Sequence, residues 1–219
     1  MEKYFSYSPY QYGLLNPIRL IDANGKEIYF SSDADVRNEQ VEYFRMMVGP
    51  EYSKYINSVP NDNGEFVLDL ELLNSGIKNT ENLSDENVRN FVEVANDKEA
   101  VQLELRKDNE IFNDNQPITF EQLREDNKGK SIYGYTLVSN NIKYPEEPEH
   151  FSATNRNVMY INRLYGEKER VKTLAHELLH VYLYIKGKRW GDKNQGFKEN
   201  SDKAEERAGN AYDKYKEIF

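Results

Sequence analysis

The chain has 219 residues, of which 38% are hydrophobic and 31% charged, and it contains no cysteine. The absence of thiols excludes disulfides, zinc ribbons, iron–sulfur centres and thiol catalysis. A net charge of −9 argues against nucleic-acid binding as the main activity. No run approaches the roughly 18 apolar residues that membrane insertion requires, and the first residues lack the basic start and apolar core of a signal peptide.

The first 30 residues are rich in Tyr, Pro, Asn and Gly and differ in composition from the rest. Asn24-Gly25 lies between two alternating apolar pairs, which is a strong signal for a β-hairpin. These pairs are Ile18 with Leu20 and Ile28 with Phe30. The change in composition predicts a tail at residues 1–30 and a domain at residues 31–219.

Apolar spacing and turn residues predict the remaining elements in chain order. They are a helix from residue 36 to Gly49-Pro50, a strand at 66–73, a helix at 85–95, a strand at 101–105, a short helix opened by a capping box of Thr119 and Gln122, a strand at 131–139, a long loop at 140–157, a strand at 158–161 and helices at about 167–186 and 202–217. Strands and helices do not alternate regularly, so the predicted fold class is α+β.

The motif that carries chemistry is His176-Glu177-Leu178-Leu179-His180, an HExxH inside the predicted helix at 167–186. Positions i and i+4 lie about 40° apart around a helix axis, so both imidazoles can share one metal ion. Glu177 points to the side of the pair, where it can reach a water at the metal without binding the metal. This is the arrangement of a zinc peptidase helix with a glutamate general base. The alternative is two histidines on an ordinary helix.

The surrounding helix is apolar on nearly all sides, which predicts that it is buried. Buried histidines need polar partners, and one metal ion satisfies two of them at once. Gly187 is a natural residue for the end of this helix.

A zinc site needs a third protein ligand, and the last helix is the better source of one. Glu205 lies at the edge of the apolar stripe of that helix, whereas Glu206 points away from it. Glu205 is therefore the predicted ligand, with Glu206, His150 and Asp202 as the alternatives. Glu205 could instead be a first-turn carboxylate that caps the helix at Asp202.

A hydrolytic mechanism follows from His176, His180 and Glu205 as ligands of Zn²⁺. The fourth position is left for water, whose pKa the metal lowers towards about 7. Glu177 would take a proton as this water attacks a peptide carbonyl, and would then pass it to the leaving amine. The metal would also stabilise the oxyanion that forms.

Two further contributions to such a site are open. Tyr212 and Arg207 are candidates for an additional electrophile, although a packed aromatic ring and a solvated cation are simpler roles for them. If the edge of the strand at 158–161 is open, a peptide substrate could add to it as an extra strand. The middle of the chain, residues 31–150, carries no motif.

Three short motifs follow one another near the N-terminus, namely Tyr7-Ser8-Pro9-Tyr10-Gln11-Tyr12-Gly13, Asn16-Pro17 and Asp22-Ala23-Asn24-Gly25. In order and spacing they resemble the end of the RHS-repeat-associated core of bacterial polymorphic toxins. In that family this region is linked to self-cleavage that releases the toxin. In the present sequence Ala23 replaces the proline that is usual there. The resemblance implies a toxin domain that a secretion system delivers as part of a larger protein, with a cognate immunity protein in the producing cell.

The HExxH together with Glu205-Glu206-Arg207-Ala208 resembles zincin metallopeptidase toxin or effector domains. This resemblance implies a zincin-like fold with a small mixed or antiparallel sheet, a Zn²⁺ cofactor and a protein or peptide substrate. The leading hypothesis is a secreted zinc endopeptidase that does not bind nucleic acid and does not insert into membranes. The alternatives are an intracellular regulatory metallopeptidase and a non-catalytic metal-containing binding module.

Overall fold

The structure is a computed structural model that describes residues 27–77, 83–111, 117–138, 156–188 and 195–219. Its strands are β1 (Ile28–Tyr29), β2 (Ser58–Pro60), β3 (Phe66–Leu68), β4 (Val101–Arg106), β5 (Gly134–Leu137) and β6 (Asn157–Asn162). Its α-helices are α1 (Ala34–Val48), α2 (Leu70–Gly76), α3 (Glu86–Ala95), α4 (Phe120–Asp126), α5 (Glu167–Ile185) and α6 (Gln195–Ile218). The predicted α+β class is confirmed. None of the helices in these ranges is both long and apolar enough to cross a bilayer.

The six strands form one mixed sheet in the order β2-β3-β1-β4-β6-β5. β4 runs parallel to β1 and β6, and the other pairs are antiparallel. β6 has β4 on one side and β5 on the other, so the condition of an open edge at residues 158–161 is not met. The strand at this end of the sheet is β5.

β6 divides the interior into two cores because its side chains alternate between the two faces of the sheet. Met159 and Ile161 join the large core with α1, α3, α5 and α6. Val158 and Tyr160 join a smaller core around Phe120 of α4. Helix α5 packs against β6 and β5 on one side and against α6, α1 and α3 on others. The predicted burial of the HExxH helix is therefore confirmed.

The residues predicted to begin or end helices are confirmed at several helix termini. The side chain of Asp85 accepts hydrogen bonds from backbone amides at the start of α3. Thr119 and Gln122 form the predicted capping box of α4. Helix α1 ends before Gly49. Gly187 follows α5 with a φ of 66°, a left-handed conformation that glycine adopts without strain.

Two predicted boundaries are wrong. The apolar run at 66–73 is not one strand, because the Asp69 side chain accepts a hydrogen bond from the Leu72 amide and starts α2. The last helix begins at Gln195 and not at residue 202. Glu205 consequently lies in the third turn of α6, so it is not a first-turn carboxylate that caps Asp202.

The predicted tail and the sheet share residues. β1 lies between β3 and β4, and Ile28 and Tyr29 are 0% and 2% exposed. The second half of the predicted hairpin is therefore an inner strand of the sheet. Its first half, the tyrosine-rich motifs, His150 and most of the predicted loop at 140–157 lie outside the described residues.

Candidate active site

A cleft of about 380 Å³ lies where α5 and α6 meet the segment that leads into and forms β5. Its walls include all four predicted site residues, His176, Glu177, His180 and Glu205. Glu177 and His180 are 4% and 6% exposed, whereas the side chain of His176 is 23% exposed. The cleft thus joins buried polar groups to a partly open surface.

The two histidines form a ring pair that α6 supports. Their ring centroids are 5.0 Å apart with an interplanar angle of 62°. Phe197 of α6 stacks on His180 at 4.1 Å and meets the ring of His176 edge-on at 5.4 Å. Because Phe197 is only 2% exposed, this contact restricts the orientation of both imidazoles. The sequence prediction missed Phe197 because it placed the start of the helix after this residue.

Glu205 reaches the histidine pair from α6. Its Oε1 lies 2.9 Å from Nδ1 of His176, which is a hydrogen bond that the carboxylate accepts. Asp202 and Glu206 are exposed and do not line the cleft. Of the alternatives for the third ligand in the described residues, only Glu205 therefore faces the histidines.

Small residues let α6 approach α5 this closely. Ala204 and Ala208 are buried, whereas Gly209 is not required for the approach, because a Cβ placed on it would lie at an ordinary contact distance, 3.5 Å, from Cε of Lys168 on α5. At the far end of α6, the Tyr215 hydroxyl donates to Oε1 of Glu42 on α1 at 2.7 Å. These contacts fix the register in which Glu205 meets the cleft.

The tie between Tyr215 and Glu42 should weaken at high pH. Burial and the Glu42 carboxylate raise the pKa of Tyr215 to about 12. A raised pKa in the folded state means that the contribution to stability is complete below the unfolded pKa of about 10 and is lost as the pH rises towards 12. In denaturant titrations between pH 9 and 12, we expect the free energy of unfolding of wild type to fall more steeply than that of Tyr215→Phe. Parallel curves would contradict this prediction.

The carboxylate of Glu177 is held by β5. The Thr136 hydroxyl donates to Oε2 of Glu177 at 2.6 Å, and both residues are buried. A Cβ placed on Gly134 would overlap Oε1 of the same carboxylate. Neither Thr136 nor Gly134 belongs to the site predicted from the sequence. A glycine inside a predicted strand is the signal that could have indicated a close approach at Gly134.

The donor set fits zinc. Two imidazoles and one carboxylate on facing helices are the ligand types of a catalytic zinc site. Within the described part of the chain, no group of three His, Asp or Glu side chains has converged into a metal-binding arrangement. Glu205 contacts Nδ1 of His176, and such contacts orient imidazoles that bind a metal through the other ring nitrogen. In a zinc site, Glu205 would therefore be either a ligand or the partner that orients His176.

The two candidate electrophiles lie away from the cleft. The guanidinium of Arg207 pairs with Oε2 of Glu86 at 2.9 Å and also donates to Asn87. Tyr212 packs, partly buried, against the large core. Neither lines the cleft, so neither is placed to act on a substrate there.

Comparison with protein-family models, with curated proteins and with solved structures finds no match for this chain. A functional proposal for it rests on the chemistry of its own residues.

Glu205 and Glu206 offer a matched pair of substitutions. We expect Glu205→Gln to weaken zinc binding at least about 10-fold, because loss of even an orienting partner has an effect on that scale. Glu206→Gln should leave the zinc Kd within about twofold of wild type, since Glu206 is exposed. Competition titration against a chelating dye measures both constants. Equal effects of the two substitutions on the zinc Kd would show that Glu205 has no role in zinc binding.

Proposed function

We propose that this protein is a zinc-dependent endopeptidase. The observation that carries the proposal is the buried Glu177 carboxylate beside the His176 and His180 rings, with Glu205 completing the wall of the same cleft. A buried carboxylate needs a hydrogen bond, a charge partner or a metal ion nearby, and the Thr136 hydroxyl supplies the hydrogen bond for Glu177. A glutamate general base beside two zinc-binding histidines is the role that the HExxH spacing supports for these three residues.

An extended peptide suits the shape of the site. The cleft follows residues 131–136, which lead into and form β5. Among the described residues β5 pairs with β6, and a substrate strand that added along its other side would be bound through backbone hydrogen bonds. Such a strand would run past the histidines and Glu177.

The chemistry divides between the residues as follows. His176 and His180, with Glu205, would hold the metal, which when bound supplies Lewis acidity for a carbonyl and a water. Glu177 accepts the proton of the attacking water and returns it to the leaving amine. Its burial excludes competing solvent, and the Thr136 hydroxyl keeps its carboxylate on the cleft side of β5.

The tyrosine-rich N-terminal motifs support a proposal about the biological role of such a peptidase. Their resemblance to the end of an RHS-repeat-associated core favours a toxin or effector domain over an intracellular regulatory peptidase. In this proposal a bacterial secretion system delivers the domain within a larger protein, and an immunity protein protects the producing cell. The targets are proteins or peptides of a competitor or host cell.

The test combines metal content with unbiased proteolysis. Purified full-length chain should contain about one zinc per molecule, cleave a mixed peptide library, lose cleavage with a chelator and regain it with added zinc. Expression in a bacterial cytoplasm should arrest growth. Bound zinc without any cleavage would overturn the endopeptidase proposal and favour a binding module. Cleavage without growth arrest would leave a peptidase and remove the toxin role.

A further inference from the structure

We infer that Thr136 is a positioning residue for Glu177 and that Gly134 provides the space this requires. The inference deepens the proposed function, on which it rests. It assigns to β5 a second role beside substrate binding, namely to set the position of the general base.

The sheet geometry brings these residues to Glu177. Leu137 of β5 points into the small core around α4. Because side chains alternate along a strand, Thr136 and Gly134 lie on the opposite face, which packs against α5. Gly134 and Thr136 of β5 thus both face Glu177 of α5.

The contact between Thr136 and Glu177 has the form of a charge-assisted hydrogen bond. The distance from Oγ1 to Oε2 is 2.6 Å, within the range of a hydroxyl bound to a carboxylate. The same hydroxyl lies 3.4 Å from the backbone oxygen of Glu177. Thr136 and Glu177 are 5% and 4% exposed, so bulk water competes little for either group. One carboxylate oxygen is thereby fixed to the sheet.

Gly134 leaves the space that the other carboxylate oxygen of Glu177 occupies. A Cβ at this position would overlap Oε1 of Glu177 and would lie 2.6 Å from Cγ2 of Thr173. Any side chain at residue 134 would therefore displace the carboxylate or β5. Thr136 attracts one oxygen of Glu177, and Gly134 leaves room for the other.

The kinetic test uses two substitutions at one position. Thr136→Val keeps the shape of the side chain and removes the hydroxyl, whereas Thr136→Ser keeps the hydroxyl. We expect Thr136→Val to lower kcat about 10- to 100-fold, the scale of a misplaced catalytic group, with KM and zinc content within twofold of wild type. Thr136→Ser should restore kcat to within about threefold. A Val variant with wild-type kcat, or a Ser variant as slow as Val, would overturn the inference.

A stability cycle gives a readout that does not depend on activity. In metal-free protein, Thr136→Val should lower Tm by about 3–8 °C, from the loss of a hydrogen bond to a charged group. In a Glu177→Ala background, the same substitution should change Tm by less than half as much, because its main partner is gone. Additive Tm changes would overturn the inference even if the chain is a peptidase. Coupling in a chain without proteolysis would support the contact and contradict the proposed function alone.

Gly134→Ala provides an independent check. The added methyl group should lower kcat at least about 10-fold with zinc retained, because it moves Glu177. Gly166→Ala is the comparison, since Gly166 has nothing within 4 Å of an added Cβ and, like Gly134, no positive φ. If both alanine variants keep wild-type kcat, the space at Gly134 has no bearing on Glu177.

Discussion

Replacing Glu177 by glutamine should abolish proteolysis and leave zinc bound. The amide keeps the size of the side chain, and its oxygen can still accept the hydrogen bond from the Thr136 hydroxyl. We therefore expect the variant to keep the wild-type fold. What is lost is the ability to take a proton from water. General acid–base catalysis contributes about 100- to 10,000-fold, and we expect kcat to fall by that amount. Single-turnover cleavage of a library-derived peptide and zinc analysis measure the two properties.

The control for Glu177→Gln is an acid on the other side of the sheet. Glu121 is an exposed residue of α4, which packs on the small core, and it does not line the cleft. Glu121→Gln should retain wild-type kcat. If Glu177→Gln keeps more than a tenth of wild-type kcat, Glu177 is not the general base.

Replacing His180 by alanine should remove zinc and, with it, the stabilisation that zinc gives. A ligand at 100 times its Kd stabilises the folded state by about 2.7 kcal/mol. For a chain of this size that corresponds to a rise in Tm of roughly 5–10 °C. Differential scanning fluorimetry with and without zinc should show this rise for wild type and none for His180→Ala.

The stacking of His180 on Phe197 requires a further control. The alanine substitution also leaves a cavity, so the metal-free Tm of the variant should itself be lower. The decisive quantity is therefore the zinc-induced shift within each variant. His150→Ala should keep the full shift, because Glu205 of α6 already meets the histidine pair. A zinc-induced rise in Tm that survives His180→Ala would exclude the proposed metal site.

The parts of the fold that the sequence predicted are those with local causes. The cap at Asp85 and the capping box of Thr119 depend on neighbours within three residues, and β4 shows its alternation directly. The failures occur where one pattern suits two structures. The run at 66–73 is apolar except at Asp69 and Glu71, and only the cap at Asp69 separates strand from helix. The start of α6 carries little apolar periodicity, so its first two turns went unpredicted.

The candidate site divides in the same way. The spacing of His176 and His180 is set by one turn of helix, which the sequence displays. Thr136 contacts Glu177 across 41 residues, and no local pattern encodes that distance. The order of the strands decides it, because β5 and not β6 occupies the end of the sheet beside α5. That order depends on packing of the whole chain.

The position of β5 has a consequence for inhibition. If the proposed function holds, a rigid peptidomimetic docked along the outer edge of this strand would lie beside Glu177 and the Thr136 side chain that contacts it. Affinity could then come from main-chain complementarity, without a chelating warhead. The selectivity of such compounds would then depend on the shape of this strand edge and not on the identity of a metal ion.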